Sequence, residues 1–386
     1  MPRWLYSLVI LAVVAPIISL IGGPKLETAI FIFSTLSLIP LAALIGRATE
    51  DLTYYVGPIT GGLLNATFGN APEVIIGIFA LQQGLLSVVK ASITGSIISN
   101  ALLVLGGSLA LGGFRWGKQF FSYRDAGQYS AMMVMAVAGL LIPYIASTAI
   151  HDKARMQAVS VGIALILLVV YVLYLGLNIF HIRSVRRNPS HRGKSAMATR
   201  VLPTWEEDSE DEVPAISGGV GPQEVEENVS PSPPAVWLIV TMLLIATIGT
   251  AWNSELLVGA LVPVATQLGW SPIFIGLVIL PIVGNAAEHS SSMIVAYKDR
   301  VDLSMAIAAG SSIQVATFVA PLLVLVSLFF HTQLDLVFQP LELIVLSLAT
   351  ILFAVVSWYG ESTWLAGMQL IAVYVMACVV FFLLPR

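Results

Sequence analysis

Charge is what this sequence most conspicuously lacks. Only 10% of its 386 residues are Asp, Glu, Lys or Arg, while 57% are hydrophobic, and mean hydropathy is +0.90. Soluble domains carry about 25% charged residues, so a water-soluble enzyme and a disordered scaffold are both excluded. A basic surplus is missing too: the formal charge of −4 argues against nucleic acid, which needs a basic face. Cysteine is nearly absent, and Cys378 alone cannot form an intrachain disulfide. No Cys or His cluster speaks for zinc or copper. Neither an HExxH helix nor a GxSxG elbow is present, so an intramembrane hydrolase has no support. The period-two alternation of outer-membrane strands is also missing. No cofactor is expected.

What remains is an all-α integral membrane protein whose partner is the lipid bilayer. Residues 126–150 and 303–330 run 25 and 28 positions without a charge, longer than the ~20 a helix needs to cross the hydrocarbon core. Eleven spans are expected: 4–22, 27–52, 57–84, 87–112, 125–148, 154–181, 235–269, 272–297, 303–330, 340–358 and 363–384. The stretch 235–269 reads either as one long helix or as two meeting near 253–255. Thirteen of the 18 Lys and Arg then fall on the side of the N-terminus. The positive-inside rule places that side in the cytosol and the C-terminus outside or in a lumen. The short segment before the first span suits a prokaryotic plasma membrane, with a vacuole-type membrane as the alternative. Between the sixth and seventh spans lies a polar stretch, 182–234, first basic and then acidic from Glu206 to Glu212 and again from Glu224 to Glu227. It reads as a solvated cytosolic linker or as a calcium-sensing segment.

Two stretches match at a constant offset of 215. Gly69-Asn70-Ala71-Pro72-Glu73 pairs with Gly284-Asn285-Ala286-Ala287-Glu288. The same offset pairs Gly61 with Gly276, Gly95 with Gly310, Ser96 with Ser311 and Ile98 with Ile313. The copies begin in the third and eighth spans, an odd number apart, so they enter the membrane from opposite sides. Such inverted repeats mark many secondary transporters, with the site at the midplane between them. The expected division is a leading helix (1–22), a first five-helix repeat (27–181), the linker (182–234) and a second five-helix repeat (235–386).

Each copy carries one intramembrane carboxylate, Glu73 and Glu288, near the middle of its span. A charge there costs at least ~2.5–3.5 kcal/mol on insertion scales, so a symmetry-related pair asks for a function. Asn70 and Asn285 precede the acids by nearly one turn and share their faces. Ser96, Ser99, Asn100, Ser311, Ser312 and Gln314 follow on the next helices. This is an oxygen-donor set of the kind hard cations such as Ca²⁺ take. Pro72 and Pro281 lack an N–H and free the carbonyls of Phe68 and Leu277 as further donors. Two facing carboxylates hold a costly −2 that one divalent cation or two protons would cancel, since burial and like-charge proximity both favour a protonated carboxyl group. If only those neutral forms change sides, cation–proton exchange follows. His289 adds either a group titrating near neutral pH or a packed polar residue.

At these motifs the chain resembles the calcium/proton exchanger family of the calcium/cation antiporter superfamily. The resemblance rests on 61–74, on 281–289, on Gly95 to Asn100, on Tyr297-Lys298-Asp299-Arg300, on Gly310 to Val315 and on Ser254 to Gly259. It implies one leading helix followed by five and five, and antiport of Ca²⁺ against H⁺ by alternating access, with Mn²⁺ a second candidate cation. It implies that Glu73 and Glu288 bind cation and protons in turn, and that Asn70, Asn285, Ser99, Ser311 and Gln314 are helper ligands or gate residues. Glu50 and Glu255 match family acids at helix ends or mouths. The sodium/calcium exchangers of the same superfamily are the alternative; they favour Thr-Ser pairs where Asn70 and Asn285 stand, and an oxygen ligand where this chain has Val315. A passive channel, from a different class, would not need two titrating acids.

Overall fold

The structure, a computed structural model, describes residues 9–23, 26–180 and 234–384. Apart from Pro234, the linker 182–234 lies outside the described residues, as do the first residues of the leading span. The described residues are almost entirely helical: α1 (Leu11–Ile21), α2 (Glu27–Phe68), α3 (Ala71–Gln82), α4 (Leu86–Trp116), α5 (Tyr123–Ser147), α6 (Lys153–Phe180), α7 (Val236–Leu268), α8 (Pro272–Gly284), α9 (Ala286–Tyr297), α10 (Val301–Ser327), α11 (Pro340–Trp358) and α12 (Trp364–Phe382). Long apolar runs fold this way in lipid because a helix satisfies every backbone group within itself. Eight of these helices are long and apolar enough to cross a membrane, and the bent pair α8–α9 makes a ninth; α1 and α3 are shorter apolar helices.

Two span expectations need correction. The stretch 57–84 is not one straight helix. Gly57, at φ 81° and ψ 167°, breaks α2 in a conformation closed to most side chains, and a second break falls at Gly69-Asn70, ahead of α3. The stretch 272–297 bends by 60° between Gly284 and Ala286. Both repeat breaks therefore sit directly before the acids, and Asn70 and Asn285 have nearly the same backbone angles, φ −95° with ψ 11° and φ −95° with ψ 13°. Glu73 and Glu288 lie in the first turns of α3 and α9, not at mid-helix. Of the two readings left open for 235–269, the structure has the single helix, continuous through Asn253 to Glu255.

The centre of the bundle is built from α4 and α10. Their most apolar stretches are 78% and 67% buried, against 22% for α6 and for α7. Both central helices widen into a π-turn, Ser99–Val104 and Val315–Val319, at nearly the repeat offset. In α10 the cause is Pro321, which leaves the Thr317 carbonyl without its α-helical donor. Pro281 does the same to Leu277 within the π-turn Ile275–Ile279 of α8. The freed Leu277 carbonyl is not a site donor as the sequence suggested. It packs on Gly95 of α4, where any Cβ would overlap it.

Outside this core, α2 packs along α7, and α1 lies against both. Pro16 interrupts α1 and strips the Ala12 carbonyl of its donor. Asn253 of α7 supplies the missing bond, its Nδ2 donating to that carbonyl at 3.0 Å.

The loops divide into two ends. At one, the α4–α5 loop meets the α9–α10 and α11–α12 loops. Two-residue strands β1 (Gln119–Phe120) and β2 (Glu361–Ser362) pair antiparallel there, Lys118 meets Glu361 at 3.1 Å, and the Ser122 N–H donates to Asp302 at 2.8 Å. At the other, Lys90 meets Asp335 at 2.6 Å, and Gln157 donates to the Leu334 carbonyl. This partition agrees with the alternation of spans read from the sequence.

Candidate functional site

The two helix breaks face the central helices and each other. Asn285 stands at the second break and donates through Nδ2 to Ser96 Oγ and to the Pro281 carbonyl, both at 3.1 Å. Its Oδ1 accepts from Ser311 at 3.5 Å, and Ser311 in turn accepts from Asn100 Nδ2 at 2.9 Å. Asn70, at the first break, donates to Gln314 Oε1 at 2.6 Å. Ser99 donates to the Ser96 carbonyl at 3.1 Å. Each bond from an Asn side chain to α4 or α10 ties one sequence repeat to the other.

The carboxylates meet this network only where Glu288 reaches Ser311. Glu73 is buried, and its Oε1 lies against Gly284, where an added Cβ would be 3.1 Å away. The absence of that Cβ is what admits the carboxylate to the opposite break. Glu288 lies beside the Ser311 hydroxyl and within Coulombic reach of Glu73. Glu73 Oε2 and Glu288 Oε2 are buried and have no hydrogen-bond partner among the described residues, and neither has His289 Nε2. A buried polar atom left so costs ~1–3 kcal/mol, more when charged, so these oxygens call for a cation or a proton. The helix N-termini beneath them contribute partial positive charge. Among the described residues no three of His, Cys, Asp and Glu come together. A cation here would be held by two carboxylates plus amide, hydroxyl or carbonyl oxygens, which suits a hard divalent ion and no soft one.

Of the residues singled out from sequence, Glu73, Glu288, Asn70, Asn285, Ser96, Ser99, Asn100, Ser311 and Gln314 are brought together. His289 is buried next to Glu288. Glu50 and Glu255 are not brought in: both are exposed, on α2 and α7, and neither bonds to the central cluster. One residue was missed. Ser92 lines the cavity that Glu73, Ser96 and Val315 share, and its place one turn before Ser96 on α4 was the signal.

Residues 26–180 and 238–383 match the family described as sodium/calcium exchanger protein. A Ca(2+)/H(+) antiporter from Synechocystis sp. is 40% identical over 362 residues, covering 93% of this chain and 92% of the relative. The Ca(2+)/H(+) antiporter ChaA of Bacillus subtilis is 38% identical over 359 residues, with 93% of each chain covered. The solved structure of native YfkE superposes with a TM-score of 0.76 at 35% identity, over 98% of this chain and 100% of that one. A solved H+/Ca2+ exchanger, CAX, shares the fold at 14% identity and a TM-score of 0.68, over 98% of this chain and 91% of that one. Two breaks of matching geometry, an acid after each, and alignment along nearly the whole chain agree: this chain belongs to the sodium/calcium exchanger protein family.

Proposed function

We propose that the chain is a secondary antiporter that exchanges Ca²⁺ for H⁺ across a membrane, with Glu73 and Glu288 as the shared seat of both ions. The observation that carries this reading is the pair of buried carboxylate oxygens without partners, one behind each break. A divalent cation neutralises the pair from outside; protons neutralise it from within. An ionised empty pair is the form most costly to carry through the bilayer interior, and that cost couples the two fluxes. Relatives named as Ca(2+)/H(+) antiporters at 38–40% identity favour the same coupling ion.

Asn70, Asn285, Ser99, Ser311 and Gln314 serve as helper ligands or as struts that hold the breaks open, and Ser96 and Asn100 complete the frame. His289, buried beside Glu288, is either a packed polar residue or a further proton acceptor. Glu50 and Glu255 act at a distance, attracting cations to the mouths. The reading keeps eleven spans, a leading helix with two inverted sets of five, and puts the end that carries β1 and β2 in the cytosol. A prokaryotic plasma membrane is the proposed location, and Mn²⁺ is the second cation to test.

The test is Ca²⁺ uptake into proteoliposomes under an imposed pH gradient, an imposed sodium gradient, or neither. Uptake that follows the pH gradient alone is the expected result. Uptake that follows sodium would turn the reading to sodium coupling, and uptake indifferent to both would point to a channel.

A further inference from the structure

A second cavity lies on a different face of α4 from the ion site. Val89, Ser92 and Ser96 of α4 line the cavity of Glu73. Ser87 and Lys90 of the same helix line another, of about 370 Å³, at the end where Lys90 meets Asp335. Tyr144 of α5, Gln339 ahead of α11 and Glu342 in its first turn complete the polar lining. One water needs ~10–15 Å³, so the space admits a cation with water around it. Glu342 is only 1% exposed. Its Oε2 accepts from Thr94 Oγ1 at 3.1 Å, and its Oε1 has no hydrogen-bond partner among the described residues.

Lys90 lies within Coulombic reach of Glu342 but is engaged elsewhere. Its Nζ donates to Asp335 Oδ1 at 2.6 Å and to the Val337 carbonyl at 2.7 Å. A buried charge needs pairing as well as hydrogen bonds, and a single hydroxyl is all that the described residues give Glu342. The ion-site machinery does not account for this acid either. The repeat offset of 215 places Gly127, Met305 and Ala309 where this half has Glu342, Lys90 and Thr94. The exchange acids are duplicated; this constellation is not.

We propose that this cavity is a cation site separate from the exchange pair, and that its ligand is a monovalent alkali cation, Na⁺ or K⁺. Glu342 supplies the charge through Oε1. Ser87, Tyr144 and Gln339 supply neutral oxygens from α4, α5 and the start of α11, the donors that hard cations take. The valence follows from the charge balance. Glu342 and Asp335 contribute −2 and Lys90 contributes +1, which leaves −1 for the ligand to cancel. A divalent cation would leave +1 and would meet the Lys90 ammonium as well. Lys90 is thus a specificity residue that acts through its charge. A cation held between α4, α5 and α11 binds only the folded chain and so stabilises it. The site does not depend on the antiport reading, and it gives sodium an effect without making it the coupling ion.

The test uses purified full-length protein, its melting temperature titrated with NaCl, KCl or choline chloride at constant ionic strength and without Ca²⁺. The expected result is a saturable rise with Na⁺ or K⁺ and none with choline. Glu342→Gln should weaken the apparent affinity about tenfold or more, as loss of a charged ligand does. Tyr144→Phe and Ser87→Ala should weaken it by less, and they carry the test if Glu342→Gln does not fold. Glu73→Gln should titrate as the parent does, which separates this cavity from the exchange pair. In that same background Lys90→Gln should add a rise with Mg²⁺, since the cavity then holds −2. An equal rise with choline, a rise untouched by all three cavity variants, or its loss in Glu73→Gln would overturn the site. A Lys90→Gln protein still indifferent to Mg²⁺ would overturn the charge argument. Proteoliposome uptake that ignored the pH gradient would count against the antiport reading and leave this site standing.

Discussion

Replacing Glu288 by Gln preserves shape and removes one unit of charge, which makes the consequence calculable. With both acids, a bound Ca²⁺ leaves the site neutral. With one, the loaded site carries +1 into the interior of the bundle. Insertion scales put a single charge at the membrane centre at ~2.5–3.5 kcal/mol, and 1.4 kcal/mol is about a factor of ten. The Ca²⁺-loaded step should therefore slow by about 60-fold to 300-fold. Glu73→Gln should do the same, because Glu73 faces the opposite break across Gly284 and enters the charge balance equally. Folding should survive, since neither Oε2 has a protein partner to lose. The assay is uptake of radioactive Ca²⁺ into proteoliposomes with an acidic interior, with size-exclusion and thermal-melting profiles to show that the variants are intact. Uptake within a few-fold of the parent in either variant would refute the shared-carboxylate mechanism.

Other outcomes can be stated briefly. Lowering the pH on the cation-binding side should weaken Ca²⁺ binding progressively across about pH 8 to 5, because protons compete for the same carboxylates; the pair should titrate in macroscopic steps. An affinity flat in pH but falling with sodium, measured on detergent-solubilised protein, would overturn this. Deleting residues 206–227 should leave basal transport intact, since no proposed span or ligand lies there, and loss of transport by a correctly inserted deletion would make the linker structural. Gly95→Val should destabilise the fold by ~1–3 kcal/mol, the usual cost of overpacking, because its side chain meets the Leu277 carbonyl; an unchanged melting temperature would contradict the packing of α4 on α8.

The repeat and its acids were legible in the sequence because they are coded by identity at a fixed spacing. The match of 69–73 with 284–288 survives in nearly equal backbone angles at Asn70 and Asn285. The breaks themselves were less legible. Gly57, Pro58, Gly69, Asn70 and Pro72 are all possible breakers between 57 and 73, and the sequence does not say which of them breaks the helix; Gly57 looks like any other membrane glycine until its positive φ is seen. Pro72 and Pro281 were read as exposing carbonyls to the ion, but whether a freed carbonyl meets an ion or a neighbouring helix depends on packing, and Gly95 claims that of Leu277. The packing of α4, α9 and α10 through Ser292 Oγ, 3.0 Å from Ser108 Oγ and 2.8 Å from Ser304 Oγ, was invisible for a related reason: the serines stand on three helices, and no periodicity within one helix reports a meeting among three. Glu50 and Glu255 are a different case, acids notable in sequence that stand exposed on α2 and α7 with no bond to the central cluster.

The bond from Asn253 to the Ala12 carbonyl has a consequence for biogenesis. The partners are 241 residues apart. At a synthesis rate of ~5–20 residues per second, the first helix waits about 10–50 s in the membrane before its anchor is made. During that time the carbonyl that Pro16 uncovers has no intrahelical donor, in a solvent that offers none. The nascent helix must therefore rest against the insertion machinery, another chain or the headgroup region until the seventh span arrives. Asn253 is then the group that turns a loosely held leader into part of the fold, and an Asn253→Leu chain should insert every span yet leave its N-terminal helix open to protease or to extraction.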